Sequence, residues 1–198
     1  MRSRAQILKG IGLYLQGKRE SINIIENALI TLNKIPSRYK DNIFVLKHKI
    51  FGLVELIRTK IFFNELQELD SLIDDLISIF RTLYKKYGQD LELYEYLNNL
   101  CLAIISAIEI TNNSRLLEKL SEVLNMIVKV NISSIDVLMA QAEILAGILS
   151  LRIIKERLKN IEENILAHIK DIIDYLSGID KSRLDELRIK DIAKKIKL

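Results

Sequence analysis

Histidine and cysteine, the side chains most often used to bind metals or attack carbonyls, are nearly absent from this chain: two His and one Cys in 198 residues. His48 and His168 have no second His at i+4 and no Glu at i−3, so neither completes a helix-borne metal motif. His48 stands between Lys47 and Lys49 and reads as a solvated helix residue; His168, after Ala167, reads as lying on the outer side of its helix. Cys101 shares an apolar stripe with Leu97, Leu100 and Ile104, where a thiol behaves as a small hydrophobe with a raised pKa. A single cysteine permits neither an internal disulfide nor a thiolate metal cluster, which fits a cytoplasmic setting.

Other chemistries are sought with the same result. Glu65, Glu68, Asp70, Asp74 and Asp75 would chelate a divalent ion only if their carboxylates converged, and their spacing along a helix spreads them over different faces. Lys9-Gly10-Ile11-Gly12 lies inside an apolar helical run and follows no strand, and no GK[ST] occurs, so no phosphate-cradling loop is expected. The expectation is a protein without cofactor, metal or small-molecule substrate, and not an enzyme.

Charge is distributed unevenly. Residues 1–60 hold twelve Lys and Arg against four acids, residues 61–130 six against eleven, residues 131–180 five against eight, and residues 181–198 seven against three. Two basic ends thus flank an acidic middle. Arg2, Arg4, Lys9, Arg38, Lys40, Lys47 and Lys49, with tail residues Lys190, Lys194 and Lys195, would form a surface for nucleic acid or an acidic partner; the plainer reading is that they solvate exposed faces. Only Tyr39 among the aromatic residues sits within these charges, and base stacking asks for more.

The elements that carry these residues are helices. Apolar residues recur at three- and four-residue spacing along nearly the whole chain, and one Pro and seven Gly leave too few turn signals for a β-sandwich or barrel. The spacing predicts an all-α fold of nine helices near 4–16, 19–33, 42–58, 62–86, 91–110, 114–130, 135–156, 160–176 and 182–196. Gly17, Gly88 and Gly178 each follow a helical run where a left-handed residue is wanted, and Pro36 follows the second helix. Asp90, Asn113, Ser133 and Ser182 are candidate N-caps, and Ser3 with Gln6, Ser133 with Asp136 and Ser182 with Asp185 have capping-box spacing. Two joints are weakly marked: Arg58-Thr59-Lys60, and Arg157 to Asn160, where one continuous helix is the alternative. No signal peptide is expected at Met1 to Lys9. Val137 to Ile154 is of membrane-crossing length but holds Gln141, Glu143, Ser150 and Arg152, and reads as a buried core helix. The Ile- and Lys-rich composition suits a hot-growing source, and an AT-rich genome biases it the same way.

The helices alternate in character. Those starting near 42, 91 and 135 are apolar on nearly all sides, through Ile43 to Leu46 and Ile50 to Val54, then Leu97 to Ile108, then Leu138 to Leu151. Their successors are one-sided, as in Leu116, Leu120, Val123, Leu124 and Ile127 against Arg115, Glu118, Lys119, Glu122, Asn125 and Lys129. Inner helices recurring about every 45 residues describe repeated helical hairpins within a single domain spanning 1–198.

The first hairpin, through Leu8, Gly10, Leu13, Gly17, Ser21, Ile25, Ala28 and Leu29 with Pro36 after the second helix, resembles the tetratricopeptide repeat (TPR) family. The resemblance covers that hairpin only; later hairpins exceed the family's unit and lack its small residues. It implies an α-solenoid that binds protein segments, and it makes Asn98 and Asn99 on an inner helix candidate holders of a peptide backbone or terminal carboxylate, or simply groups that bond neighbouring backbone. A compact helical bundle is the alternative architecture. The segment 181–198 is expected to be a capping helix, with Leu184, Leu187, Ile192 and Ile196 inward and Arg183, Arg188, Lys190, Lys194, Lys195 and Lys197 in water. The expected partners are another protein or a second copy, with nucleic acid as the alternative, and no membrane span is expected.

Overall fold

The computed structural model describes residues 2–87, 91–111, 113–128, 134–149, 154, 158–178 and 186–195. Among these residues there are ten helices and no strand: α1 (Arg2–Leu15), α2 (Ser21–Asn33), α3 (Ser37–Lys40), α4 (Ile43–Phe62), α5 (Leu69–Tyr87), α6 (Leu91–Thr111), α7 (Ser114–Val128), α8 (Ile135–Leu149), α9 (Lys159–Ser177) and α10 (Glu186–Lys195). None of them is long and apolar enough to cross a membrane. The fold is all-α, as the periodicity predicts.

The helix ends show which local rules operate. Gly17 takes the expected left-handed conformation at φ 70°, so that Lys18 N–H donates to the Leu13 carbonyl and Gly17 N–H to Tyr14, closing α1 with a Schellman motif. The same motif closes α4, built on Asn64 at φ 56°, with Glu65 N–H donating to Lys60 and Asn64 N–H to Ile61. This corrects the joint predicted at Arg58-Thr59-Lys60. Those residues are helical, the break falls at Phe63 to Glu68, and asparagine, which tolerates the left-handed region, takes the role that Gly17 has after α1. Gly178 corrects the expectation in the other direction. Its φ is −81°, and its N–H bonds to the Asp174 and Tyr175 carbonyls in right-handed continuation of α9.

Asn113 caps α7 as predicted, its Oδ1 accepting from Arg115 N–H at 2.9 Å, and Asn42 does the same for α4 through Phe44 N–H at 3.0 Å. Ser3 lies inside α1 and is buried, and Gln6 Oε1 has no hydrogen-bond partner, so the predicted capping box is not formed. Leu158, at φ −129° and ψ 40°, interrupts the chain before α9, which settles the second weak joint in favour of a break. The single turn α3, started by Pro36, carries no apolar period and gives the sequence no signal. Gly88, Asp90, Ser133, Ser182 and Asp185 lie outside the described residues, while Asp136, the partner assigned to Ser133, stands exposed in the first turn of α8.

The chain divides into two compact units, residues 1–87 with 103–116, and residues 88–102 with 117–198. In the first, α1 packs on α2, both pack on α4, and α5 packs on the same α4. Its described core includes Ile7, Ile25, Ile50, Ile57, Ile73, Leu76, Phe80 and Leu83. The inner character predicted for α4 is observed: Gly52 through Ile57 are all buried, and at Gly52 the helix is approached by both Leu29 of α2 and Ile7 of α1. An added Cβ would lie 2.8 and 3.0 Å from their terminal carbons, so any larger residue would have to push both side chains aside. Phe44 departs from the pattern and is exposed; it occupies the first turn, before the buried run that begins at Leu46.

In the second unit α8 packs against α9 and α10. α8 is buried from Val137 through Leu149 at nine positions, including Gln141, whose Nε2 donates to the Ile127 carbonyl at 2.6 Å near the end of α7. α7 buries Leu116, Leu120, Val123, Leu124 and Ile127, as its one-sided pattern requires. Lys119, assigned to the polar side, is buried as well, because a lysine stem can line an apolar surface while its ammonium reaches a partner. The described part of the C-terminal segment, α10, lies on α8 with Ile192 buried. Arg188, expected in water, is drawn in by Glu143, donating from Nε to Oε1 at 2.7 Å and from Nη2 to Oε2 at 2.8 Å.

Candidate functional site

The cations nominated from sequence fall into both units. Arg38 and Lys40 are exposed on α3, with the Arg38 guanidinium 4.7 Å from the centre of the Tyr39 ring. Lys47 and Lys49 are half-buried on α4. Asn98 and Asn99 are half-buried on α6, and Lys190 and Lys194 are exposed on α10; the side chain of Lys195 lies outside the described residues. Of these, Lys40 and Lys49 interact. Lys49 is held below the ordinary lysine pKa by burial and then by Lys40, with Asp41 acting in the opposite direction.

Lys49 lines a cleft of about 300 Å³ bounded by α2, α4 and α5. Each helix contributes a pair at i, i+4 that couples an apolar to a polar residue: Leu29 with Asn33, Leu53 with Lys49, and Ile79 with Asp75, with Ser78 beside the last. Leu29 and Leu53 are buried and Ile79 half-buried, forming an apolar floor; Asn33, Asp75 and Ser78 are exposed at the mouth. Among the described residues no carboxylate lies within ion-pairing distance of the Lys49 ammonium, whereas Lys60 deeper on the same helix is matched by Glu26 at 2.9 Å and Glu68 at 3.8 Å. From sequence alone Lys49 counts as surface charge. Its signal in the sequence is a charge directly before the buried Ile50, whereas the facing residues of α2 and α5 are distant in sequence.

A second surface lies on α1. One face of this helix packs through Ser3, Ile7 and Gly10. A neighbouring face carries Leu8, Ile11 and Leu15 at i, i+3, i+7, of which Leu15 is 76% and Leu8 53% exposed. At the C-terminal end of α1, Tyr14, in line with the packed Ile7 and Gly10, meets edge-on at 5.0 Å the ring of Phe62 of α4, which is 58% exposed and lies 4.9 Å from Phe63.

The carboxylates of the acidic segment are dispersed among cations. Glu65 pairs with Arg19, Glu68 with Lys60, and Asp70 with Arg115 at 3.8 Å. Among the described residues no group of three His, Cys, Asp or Glu side chains could hold a metal ion. His48 is half-buried, with Nδ1 donating to the Phe44 carbonyl. His168 is also half-buried, which corrects its placement on the outer side of its helix as it does the solvated reading of His48: its Nε2 is enclosed without a hydrogen-bond partner, and burial lowers its pKa despite Asp171 nearby. Cys101 is fully buried, and burial pushes its thiol up to about 12.

Comparison with known proteins finds no match. No family model fits the chain, and no curated protein or solved structure is similar to it. Function is therefore argued from these surfaces alone.

Proposed function

We propose that this chain is a non-enzymatic interaction module of helical-hairpin, TPR-like type, which binds another protein or a second copy of itself. The observation that carries this reading is the apolar stripe Leu8–Ile11–Leu15, outward on a helix that already buries a different face. Large side chains exposed in register at a helical period suit a partner helix, and a symmetric dimer is the commonest arrangement that covers such a face. The TPR-like part of the reading is supported by the α1–α2 hairpin, where Gly10 lies against Ile25 and Ser21 at positions that carry the resemblance.

Light scattering at tens of micromolar tests the reading. A dimer mass that Leu8→Glu with Leu15→Glu converts to monomer is the expected result. A monomer whose exposed leucines can both be charged without changing any association overturns it. Nucleic acid is the second reading, supported by residues 2–40, where eight Lys and Arg accompany two Glu and Arg38 covers Tyr39 beside Lys40. Binding that falls steeply with salt would favour it over the first.

A further inference from the structure

The cleft between α2, α4 and α5 offers chemistry that the α1 stripe does not, and the argument for it is independent of that stripe. It combines an apolar floor, one half-buried ammonium on the α4 wall, and amide, hydroxyl and carboxylate groups at the mouth. An all-apolar ligand would bury the Lys49 ammonium further without pairing it, at a desolvation cost. A simple anion would gain nothing from Leu29, Leu53 and Ile79 and would be repelled by Asp75. A simple cation would meet Lys49. The ligand that satisfies all walls carries an apolar side chain, a carboxylate close to it, and N–H donors on the opposite side for Asp75, Asn33 and Ser78.

We propose that this cleft binds a peptide segment of a partner protein in which an apolar side chain is followed by an acidic one. The apolar side chain enters between Leu29 and Leu53, the carboxylate pairs with Lys49, and backbone N–H groups donate toward Asp75 at the mouth. Lys40 adds positive potential at Lys49, opposed in part by Asp41, which is itself paired with Lys86 at 3.4 Å; with Lys49 on the α4 wall and Asp75 on the α5 wall, the polarity across the cleft sets the direction of the bound segment. Burial keeps Lys49 partly desolvated, and an incoming carboxylate restores the interaction that burial removed.

The test is a ¹⁵N NMR titration of the full chain with acetyl-Leu-Glu-amide, using acetyl-Leu-Gln-amide as the uncharged isostere and N-acetyl-leucine as the free acid. Shift changes confined to the helix segments around Leu29, Lys49 and Asp75 are expected, with the Glu probe binding roughly threefold to fivefold more tightly than the Gln probe, as for a partly exposed ion pair. Lys49→Met should abolish that preference while leaving the spectrum dispersed, and Lys49→Arg should retain it. Equal binding of the two probes, or a preference that survives Lys49→Met, overturns the assignment of the carboxylate. Tighter binding of N-acetyl-leucine than of the peptide overturns the peptide source and gives the cleft to a small organic acid. Shifts centred elsewhere overturn the site itself, whatever the oligomeric state of the protein.

Discussion

Two glycines two residues apart on α1 should respond in opposite directions to the same substitution. At Gly10 an added Cβ would lie 2.5 Å from Ile25 Cγ1, 3.1 Å from its Cδ1 and 3.3 Å from the Ser21 carbonyl oxygen; at Gly12 nothing lies within 4 Å. Both gain the helix preference of alanine over glycine, about 0.5–1 kcal/mol. Only Gly10→Ala meets a packed neighbour, and overpacking costs about 1–3 kcal/mol, because the contacting Ile25 Cγ1 is next to the branched Cβ and not the free end of the side chain, and the Ser21 carbonyl is backbone. Gly12→Ala should therefore stabilise by about 0.5–1 kcal/mol, with Gly10→Ala below it by about 1–3 kcal/mol, the propensity contribution cancelling in the comparison. At about 2–4 °C per kcal/mol for a chain of this size, the two melting temperatures should differ by between about 2 and 12 °C. Circular dichroism melts and urea titrations measure this directly. Ile25→Ala in the Gly10→Ala background should cost less than it does alone, a coupling of about 0.5–3 kcal/mol for residues in contact. Gly10→Ala at or above the stability of Gly12→Ala would refute the close crossing of α1 and α2.

Three further outcomes follow from buried groups. With its pKa near 12, Cys101 should be about one part in ten thousand thiolate at pH 8, so a thiol reagent should leave the native chain unmodified and label one group per chain in urea; stoichiometric labelling without unfolding would contradict its burial. His168 has a folded pKa below its unfolded value of about 6.5, so the unfolded state binds more protons between the two, and stability is lost as pH falls through that window. The urea midpoint of the native chain should fall relative to that of His168→Gln between pH 7 and 5, and a constant offset would exclude the coupling. Ile192→Ala should destabilise the second unit by about 2–4 kcal/mol by loosening α10 from α8, seen as an earlier unfolding transition, and an unchanged melt would show that this helix contributes nothing to the unit.

What was legible in the sequence was whatever depends on near neighbours. The apolar period of α4 and α8 announced burial on several sides, that of α7 announced one buried face, and Asn113 announced the start of α7. The misplaced joint after α4 shows the limit of such reading. Arg58, Thr59 and Lys60 look like a polar break, but Thr59 returns its hydroxyl to the Glu55 carbonyl at 2.7 Å and Lys60 finds Glu26 from another helix, so both are accommodated inside the core. Nothing within a few residues of Lys60 announces Glu26, 34 positions earlier. The cleft was hidden for the same reason: its three helices each present an ordinary apolar and polar pair, and only their packing brings the pairs to one cavity.

The uneven charge acquires a different meaning once these pairings are known. The basic first third and the acidic stretch after it belong largely to the same unit, and there Arg19 meets Glu65, Lys60 meets Glu68, and Lys86 of the acidic stretch meets Asp41 of the basic one. In the other unit the basic tail places Arg188 on Glu143. Most of these pairs are exposed enough that each contributes only about 0–1 kcal/mol, so they do not account for stability. Their effect is on specificity: opposite charges facing across helix pairs favour one packing register and penalise slipped ones in which like charges meet. A repetitive set of Ile- and Leu-rich helices needs such a device, since apolar faces alone pack in many near-equivalent ways. Among the described residues Lys49, in its cleft and within the field of Lys40, is left by this matching without a carboxylate at ion-pairing distance, so its partner is sought outside the chain.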